Sequence, residues 1–472
     1  MSTSDDRPRS PHRTDRCPEP AACAVRAART RGVGRALGCL LGSALGAGAA
    51  TAAGPDLCEG LPTHTDRVEV RPVRKPPFMK RYRDPAFGAT VMRITDAKVG
   101  EVFKPAYSTV QAWNADESRM ILYRSGPEPG HVLLDGRSYE YLKDLDMLPA
   151  DLEEVFWSHS DPNVFFYVSK YSRDFGLFQR YDVRDDSKTP IRDFGDVCGE
   201  KGLPVAGGDA HMQSLDDDFF GFRCQDGDGD WKAFTYRVSE DELHVIDIGE
   251  GTDYDEWRAP SVAPSGERVL LGSRSLTPDL AETEARFDMA KDHEHSNLGT
   301  THDGRDALFQ TVFDPSPDGC AEGDMWNGVG HLTVHVLETG ECRPVVNQDD
   351  GYPYTTSGTH VSARAYRRPG WVVMSSIGYD QFEWFSNGRK APALFSEIYL
   401  VNTDPENEVV CRVAQHRSFA KDAKTGDYNA YFGEPHATAS PSGTRILFGS
   451  DWYDSGAVDA YVVELPAYDP EA

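Results

Sequence analysis

Short runs of β-branched and aromatic residues recur from about residue 100 to the C-terminus, each bounded by Gly, Pro, Asp and Asn. Beyond residue 53 no stretch keeps apolar residues at the three-and-four spacing of a helix, so the pattern predicts β structure throughout. The clearest unit runs from Glu434 to Ser450: a short strand, the turn Ser440-Pro441-Ser442-Gly443, and an apolar strand through Ile446, Leu447 and Phe448. Six earlier segments share this order. They are Ser108–Leu122, Val155–Ser169 around Asp161-Pro162, Ala210–Phe222, Ala259–Leu271, His295–Phe309 through His302-Asp303-Gly304, and Thr359–Ser375 around Pro369-Gly370.

Seven copies at intervals of roughly 40 to 75 residues predict an all-β fold, a seven-bladed β-propeller of four-stranded antiparallel blades. A single blade cannot bury both its faces, so the copies must close into a ring, and the first and last blades need a fastening. Residues 101–472 are expected to form the propeller, and 54–100 to lead into the ring and close it. A Cys58–Cys411 bridge or an exchange of strands between the termini would serve. Trp113, Trp157, Trp257, Trp371 and Trp452 lie beside the turns and are expected to pack between blades.

Residues 1–53 differ from the rest. They hold eight Arg and four acidic residues, followed by a Gly/Ala/Leu stretch from Ala36 to Ala53. A basic region, a weakly apolar region and small residues at Ala50-Thr51-Ala52 are the order of an export signal cleaved near Ala52 or Ala53. The expectation is a secreted or periplasmic protein with no membrane span after signal removal; Ala36-Leu37-Gly38-Cys39 resembles a lipoprotein box, but too little apolar sequence precedes it. From residue 54 onward there are 41 basic and 72 acidic residues. Such a surface repels phosphate backbones and anionic membranes, which excludes nucleic acid as a partner. Six cysteines remain after cleavage, and spacing favours the local pairs Cys198 with Cys224 and Cys320 with Cys342, leaving Cys58 to meet Cys411 across nearly the whole chain. A monomer is expected.

The sequence has no phosphate-binding loop, no nucleophile elbow and no His-Glu-x-x-His helix. It does place histidines just upstream of the repeat turn: His211, His295, His360 and His436, with His159 and His293 nearby. The innermost strand of every blade lines the axial channel, so equivalent positions converge. A lone buried His is more often a hydrogen-bonded structural residue. Four at matching positions point instead to a shared site, where imidazoles with a carboxylate such as Glu434 suit a divalent transition metal.

These segments resemble the exported propellers of the TolB type and the oligogalacturonate-lyase type, whose repeats share a Ser-Pro-Asp-Gly turn before an apolar strand. The resemblance covers about residues 100–465. The lyase family implies a His-rich manganese site in the channel and cleavage of uronate polymers by β-elimination. Its last blade carries His-x-His before the turn; here the position reads Glu434-Pro435-His436, so His436 matches the second histidine and Glu434 replaces the first. By repeat order the preceding metal histidine falls on His360 and the catalytic one on His295. The resemblance thus implies His360, Glu434 and His436 as ligands of a divalent metal (Mn, Ca or Zn), and an acidic polysaccharide or oligosaccharide as substrate.

Removing the proton alpha to a uronate carboxylate requires a cation to neutralise that carboxylate and a base with a pKa near the working pH. His295 or His211 suits the base, and Arg364 and Arg258 suit carboxylate clamps, since a guanidinium can meet a carboxylate with two parallel hydrogen bonds. The rival reading is a non-catalytic TolB-like propeller that binds a protein or glycan at the cell surface. A glycoside hydrolase would need two carboxylates across the scissile bond, which sequence spacing does not reveal. Asp226-Gly-Asp-Gly-Asp230 has calcium-loop spacing, but Arg237 stands at the twelfth position, so a hairpin turn is expected. His331 and His335 share one face of a strand, expected to be exposed and polar.

Overall fold

In the computed structural model the described residues are 56–470, apart from 70, 208–212, 253, 255–257, 287–294, 313–330, 347–349, 353–358, 377–389 and 420–430. The repeated turn has a backbone cause. Its last residue must take a positive φ, and glycine does so at Gly266 (72°), Gly304 (86°) and Gly443 (72°). In each, the glycine N–H donates to the carbonyl three residues earlier, at 2.8–2.9 Å. Glu117 and Asp217 occupy the same place in two other copies at 59° and 63°, which is why those copies lack the glycine signature.

Seven antiparallel sheets follow one another around the ring. Blade 1 spans Val102–Asp144, blade 2 Phe156–Asp193, blade 3 Phe219–Asp247, blade 4 Ser261–Arg286, blade 5 Ser296–Val346 and blade 6 His360–Gln415. Blade 3 shows three strands, with Gln213 bridged to Phe220 where a fourth would lie. Blade 7 is assembled from both ends of the chain: Thr438–Ala439, Arg445–Ser450 and Asp459–Glu464 pair in order, and Thr90–Arg93 and then Arg81–Arg83 add at the outer edge. This exchange gives the closing sheet five strands and joins the ring. The hairpin expected at Asp226–Asp230 links two strands of blade 3.

The fastening is reinforced on blade 6. Cys58 is disulfide-bonded to Cys411, and the adjacent Arg412 N–H donates to Pro62 O at 2.9 Å. Cys198 is bonded to Cys224 as expected, and Cys342 is also disulfide-bonded, while its expected partner Cys320 lies outside the described residues. Such bonds persist in oxidising compartments. Among the described residues no helix is long and apolar enough to cross a membrane.

The core consists of separate apolar clusters between neighbouring blades. Trp113, Trp157 and Trp452 are buried, and each indole N–H reaches a backbone carbonyl, that of Trp157 crossing to Ala112 of blade 1. Trp371 is half-buried against the same core, and Trp257 lies outside the described residues. His335 corrects the expectation of an exposed face: it is 3% exposed, because a middle strand of a blade is covered by neighbouring blades on both sides. The side chain of His331 lies outside the described residues. Inner strands of blades 5 and 6 approach closely at Gly299, where an added Cβ would lie 2.6 Å from that of Ala363.

Candidate functional site

The inner strands run in one sense along the ring axis, so residues near their beginnings gather at one mouth of the channel. Three blades deliver imidazoles there. His295 precedes Ser296–Thr300, His360 opens His360–Ser362, and His436 lies two residues before Thr438–Ala439. The His295 and His360 rings stack with centroids 4.4 Å apart and 18° between planes, and His436 meets His360 edge-on at 4.4 Å. Glu434 reaches in from the same loop as His436. Its Oε2 is 3.4 Å from His360 Nε2 and 3.3 Å from His436 Nε2.

His436 has a φ of 40°, a region costing a residue with a Cβ about 1–3 kcal/mol, and such strain persists only where the surroundings hold it. Beside it, Pro435 O accepts a hydrogen bond from Gly449 N at 2.9 Å, anchoring the loop to the next strand. Tyr107 borders both rings, with centroids 5.5 Å from His360 and 4.7 Å from His436. Tyr431 lies 4.8 Å from His436, and both Tyr431 and Phe432 are 37% exposed.

Lys104 of blade 1 completes the cluster. Its ammonium nitrogen hydrogen-bonds His436 Nδ1 and sits 4.2 Å from the Tyr431 ring centroid, in a position with no solvent exposure. No motif announces it; the sole signal is an isolated Lys in the strand Val102–Lys104, upstream of the repeat as read from sequence. Burial pulls the Lys104 pKa down to about 7, opposed by Glu153 and Glu434. Burial also pushes Glu434 up to about 7 and Glu153 up to about 8, each opposed by Lys104. His360 and His436 are held well below the ordinary histidine value by burial and by neighbouring positive groups, so both are neutral at pH 7.

The cluster has the donor set for a metal. His360, Glu434 and His436 each offer one ligand atom, all within 4.8 Å of one another. Ligands on opposite sides of an ion at about 2.1 Å are about 4.2 Å apart, so a small inward shift completes the fit. Both nitrogens of His360, and Nε2 of His436, are buried without a hydrogen-bond partner, which a bound cation would remedy.

Lys104 sets a condition on that binding. A charged ammonium can only donate, so beside it His436 Nδ1 is the acceptor and Nε2 carries the proton, facing Glu434. Nε2 becomes a ligand when Lys104 is neutral and Nδ1 holds the proton instead. Deprotonation of Lys104 and of Glu434, both near pH 7, therefore favours metal in the same direction. The affinity for Mn or Zn is expected to be higher at pH 8 than at pH 6. Calorimetric titration at the two pH values checks this, and equal affinities would remove Lys104 and Glu434 from control of the site.

The other candidates do not all join this cluster. His211 lies outside the described residues. Arg258 lies three residues before Ser261–Val262, on the strand-start side of blade 4, half-buried and without a hydrogen bond or ion pair among the described residues. Arg364 lies past the other end of its strand, in a pocket whose lining contains none of the clustered residues. There its Nε donates to Asn297 Oδ1 at 3.1 Å and its Nη2 to Leu298 O.

The chain is similar in fold to an oligogalacturonate lyase solved in complex with manganese, with a TM-score of 0.56 and 15% identity, covering 82% of this chain and 96% of that one. An oligogalacturonate lyase from Vibrio parahaemolyticus matches with a TM-score of 0.55 and 14% identity over the same shares. TolB from Acinetobacter baumannii matches at 0.31 and 10% identity, covering 78% of this chain and 63% of that one. At such identities the likeness concerns the fold alone. No protein-family model matches the sequence, and no curated protein matches it.

Proposed function

We propose that this protein is an exported lyase that cleaves a uronate-containing polymer or oligomer by β-elimination at the channel mouth. The observation that carries the reading is the convergence of His295, His360, His436 and Glu434, from three blades, on one point. The shared fold with oligogalacturonate lyases supports it, and the disulfides accord with export.

His295 is the proposed base. Its Nδ1–H donates to Thr359 O, a tautomer that makes Nε2 the basic nitrogen, and stacking on His360 orients the ring. The base takes the proton alpha to the carboxylate, the electron pair forms the new carbon–carbon double bond, and the glycosidic oxygen beta to it departs with its bonding pair. Water protonates the departing oxygen. His360, Glu434 and His436 would hold a divalent cation, and its mixed nitrogen and oxygen donors suit Mn or Zn better than Ca. When bound, that cation neutralises the substrate carboxylate and so lowers the cost of the developing negative charge. Arg258 is the proposed second clamp, while Tyr431 and Phe432 offer exposed rings against which a sugar face can stack. Arg258 supplies local positive charge in a protein of net charge −27.

Incubation with pectic, ulvan-like and other uronate polymers, with Mn added, is expected to produce absorbance near the ultraviolet edge from an unsaturated uronide. Absence of that signal across the panel, with and without Mn, Zn or Ca, would favour a propeller that only binds its glycan.

A further inference from the structure

The opposite mouth of the channel holds a pocket. The pocket there is lined by the turn ends of the inner strands and their neighbours, including Arg364, His159, Gln213, Tyr366, Thr300 and Trp371. Arg364 and Arg368 are the arginines in its lining, and two nitrogens of Arg364 are committed to Asn297 and Leu298 of blade 5. The third, Nη1, has no partner among the described residues and is not sealed away from the pocket. Among the described residues no carboxylate pairs with this guanidinium. Among the described residues Tyr366 is its electrostatic neighbour, and burial lowers the Arg364 pKa to about 10. Arg364 is half-buried, and a cation partly withdrawn from water gains from meeting an anion.

One acid beside this wall, Asp217, is already committed. Asp217 accepts from Ser158 Oγ at 2.7 Å, Ser160 Oγ at 2.6 Å, His159 N at 2.9 Å and Gln213 Nε2 at 2.9 Å, and His159 Nδ1 lies 3.2 Å from it. An anion entering the pocket therefore meets Arg364 and the His159 edge rather than an open carboxylate. Tyr366 packs edge-on against His159, with centroids 5.0 Å apart, so the polar wall is held in place. The half-buried Trp371 offers an apolar surface for the remainder of a ligand.

The geometry points to a binding site for a small organic monocarboxylate at this mouth, with its carboxylate on Arg364 Nη1 and its body against the apolar wall. One available guanidinium edge matches a single negative charge, whereas a phosphate dianion calls for more donors. The site is separate from the histidine cluster and stands whether or not that cluster is catalytic.

Benzoate and its neutral isostere benzamide test the inference by calorimetry on the intact protein. Benzoate is expected to bind at least tenfold more tightly than benzamide, Arg364→Met to abolish the difference, and His436→Ala to preserve it. Equal or undetectable binding of the two probes by the wild type overturns the site, as does an unchanged preference in Arg364→Met. If Arg364→Met fails to fold, Thr300→Phe decides: it fills the pocket without touching the Arg364 hydrogen bonds and is expected to eliminate benzoate binding. Retained binding in that variant overturns the site.

Discussion

Replacing His436 by Ala is expected to remove the bound metal and lower the elimination rate on the order of a hundredfold to a thousandfold, with the β-type circular dichroism unchanged. The expectation follows from how much this one side chain contacts. His436 is fully buried, hydrogen-bonded to Lys104 through Nδ1, and 3.3 Å from Glu434 through Nε2. Its loss takes away one of three candidate ligand atoms and leaves the Lys104 ammonium facing a void. The backbone is less affected, since Ala keeps the Cβ and the same strained φ, and the flanking loop is anchored through Pro435 O. Elemental analysis of the purified variant and the uronide absorbance assay read the two effects separately. Unchanged metal content would strike His436 from the ligand set, whatever happened to the rate.

Arg412→Met is expected to cost about 3–5 kcal/mol of stability, read as a lower midpoint of chemical unfolding. Arg412 and Glu397 are both completely buried on blade 6, and the guanidinium clasps the carboxylate with two hydrogen bonds, the Nε bond being 2.8 Å long. The remaining arm donates to Asp66 O at 2.7 Å and His64 O at 3.3 Å, so the same residue pins the segment that fastens the ring. Removing the Arg alone leaves an uncompensated buried carboxylate. Arg412→Met combined with Glu397→Met is expected to recover more than half of the loss, because no isolated charge then remains. Recovery should stop short of complete, since the carbonyls of residues 64 and 66 still lack their donor. A double variant no more stable than the single one would place the cost in the docking of the N-terminal segment instead.

The fold was legible because each blade repeats a local necessity. The turn needs a residue at positive φ, and Gly266, Gly304 and Gly443 write that need into the sequence; where Glu117 or Asp217 takes the strain, the flanking apolar runs still mark the copy. His295, His360 and His436 were legible for a related reason, since each stands a short way upstream of that turn in its copy. Lys104 was not. Its strand begins before the segment that carries the repeat, and nothing near Lys104 in sequence hints that it meets His436, 332 positions away.

Arg364 shows the complementary limit. Residue chemistry suggested it as a carboxylate clamp beside the histidines, but four residues past His360 are enough to carry it to the opposite mouth. The closing strands Arg81–Arg83 and Thr90–Arg93 are likewise ordinary short β segments whose partner, Asp459–Glu464, is chosen only when the ring meets itself. Sequence by itself thus determined the repeated unit, the number of blades and the histidines at equivalent positions, because backbone conformation and apolar spacing act within about twenty residues. Which side chains touch across the channel, which burial neutralises, and which mouth each one faces were decided by the closed ring alone, since only closure brings distant residues within a few ångströms and removes the water between them.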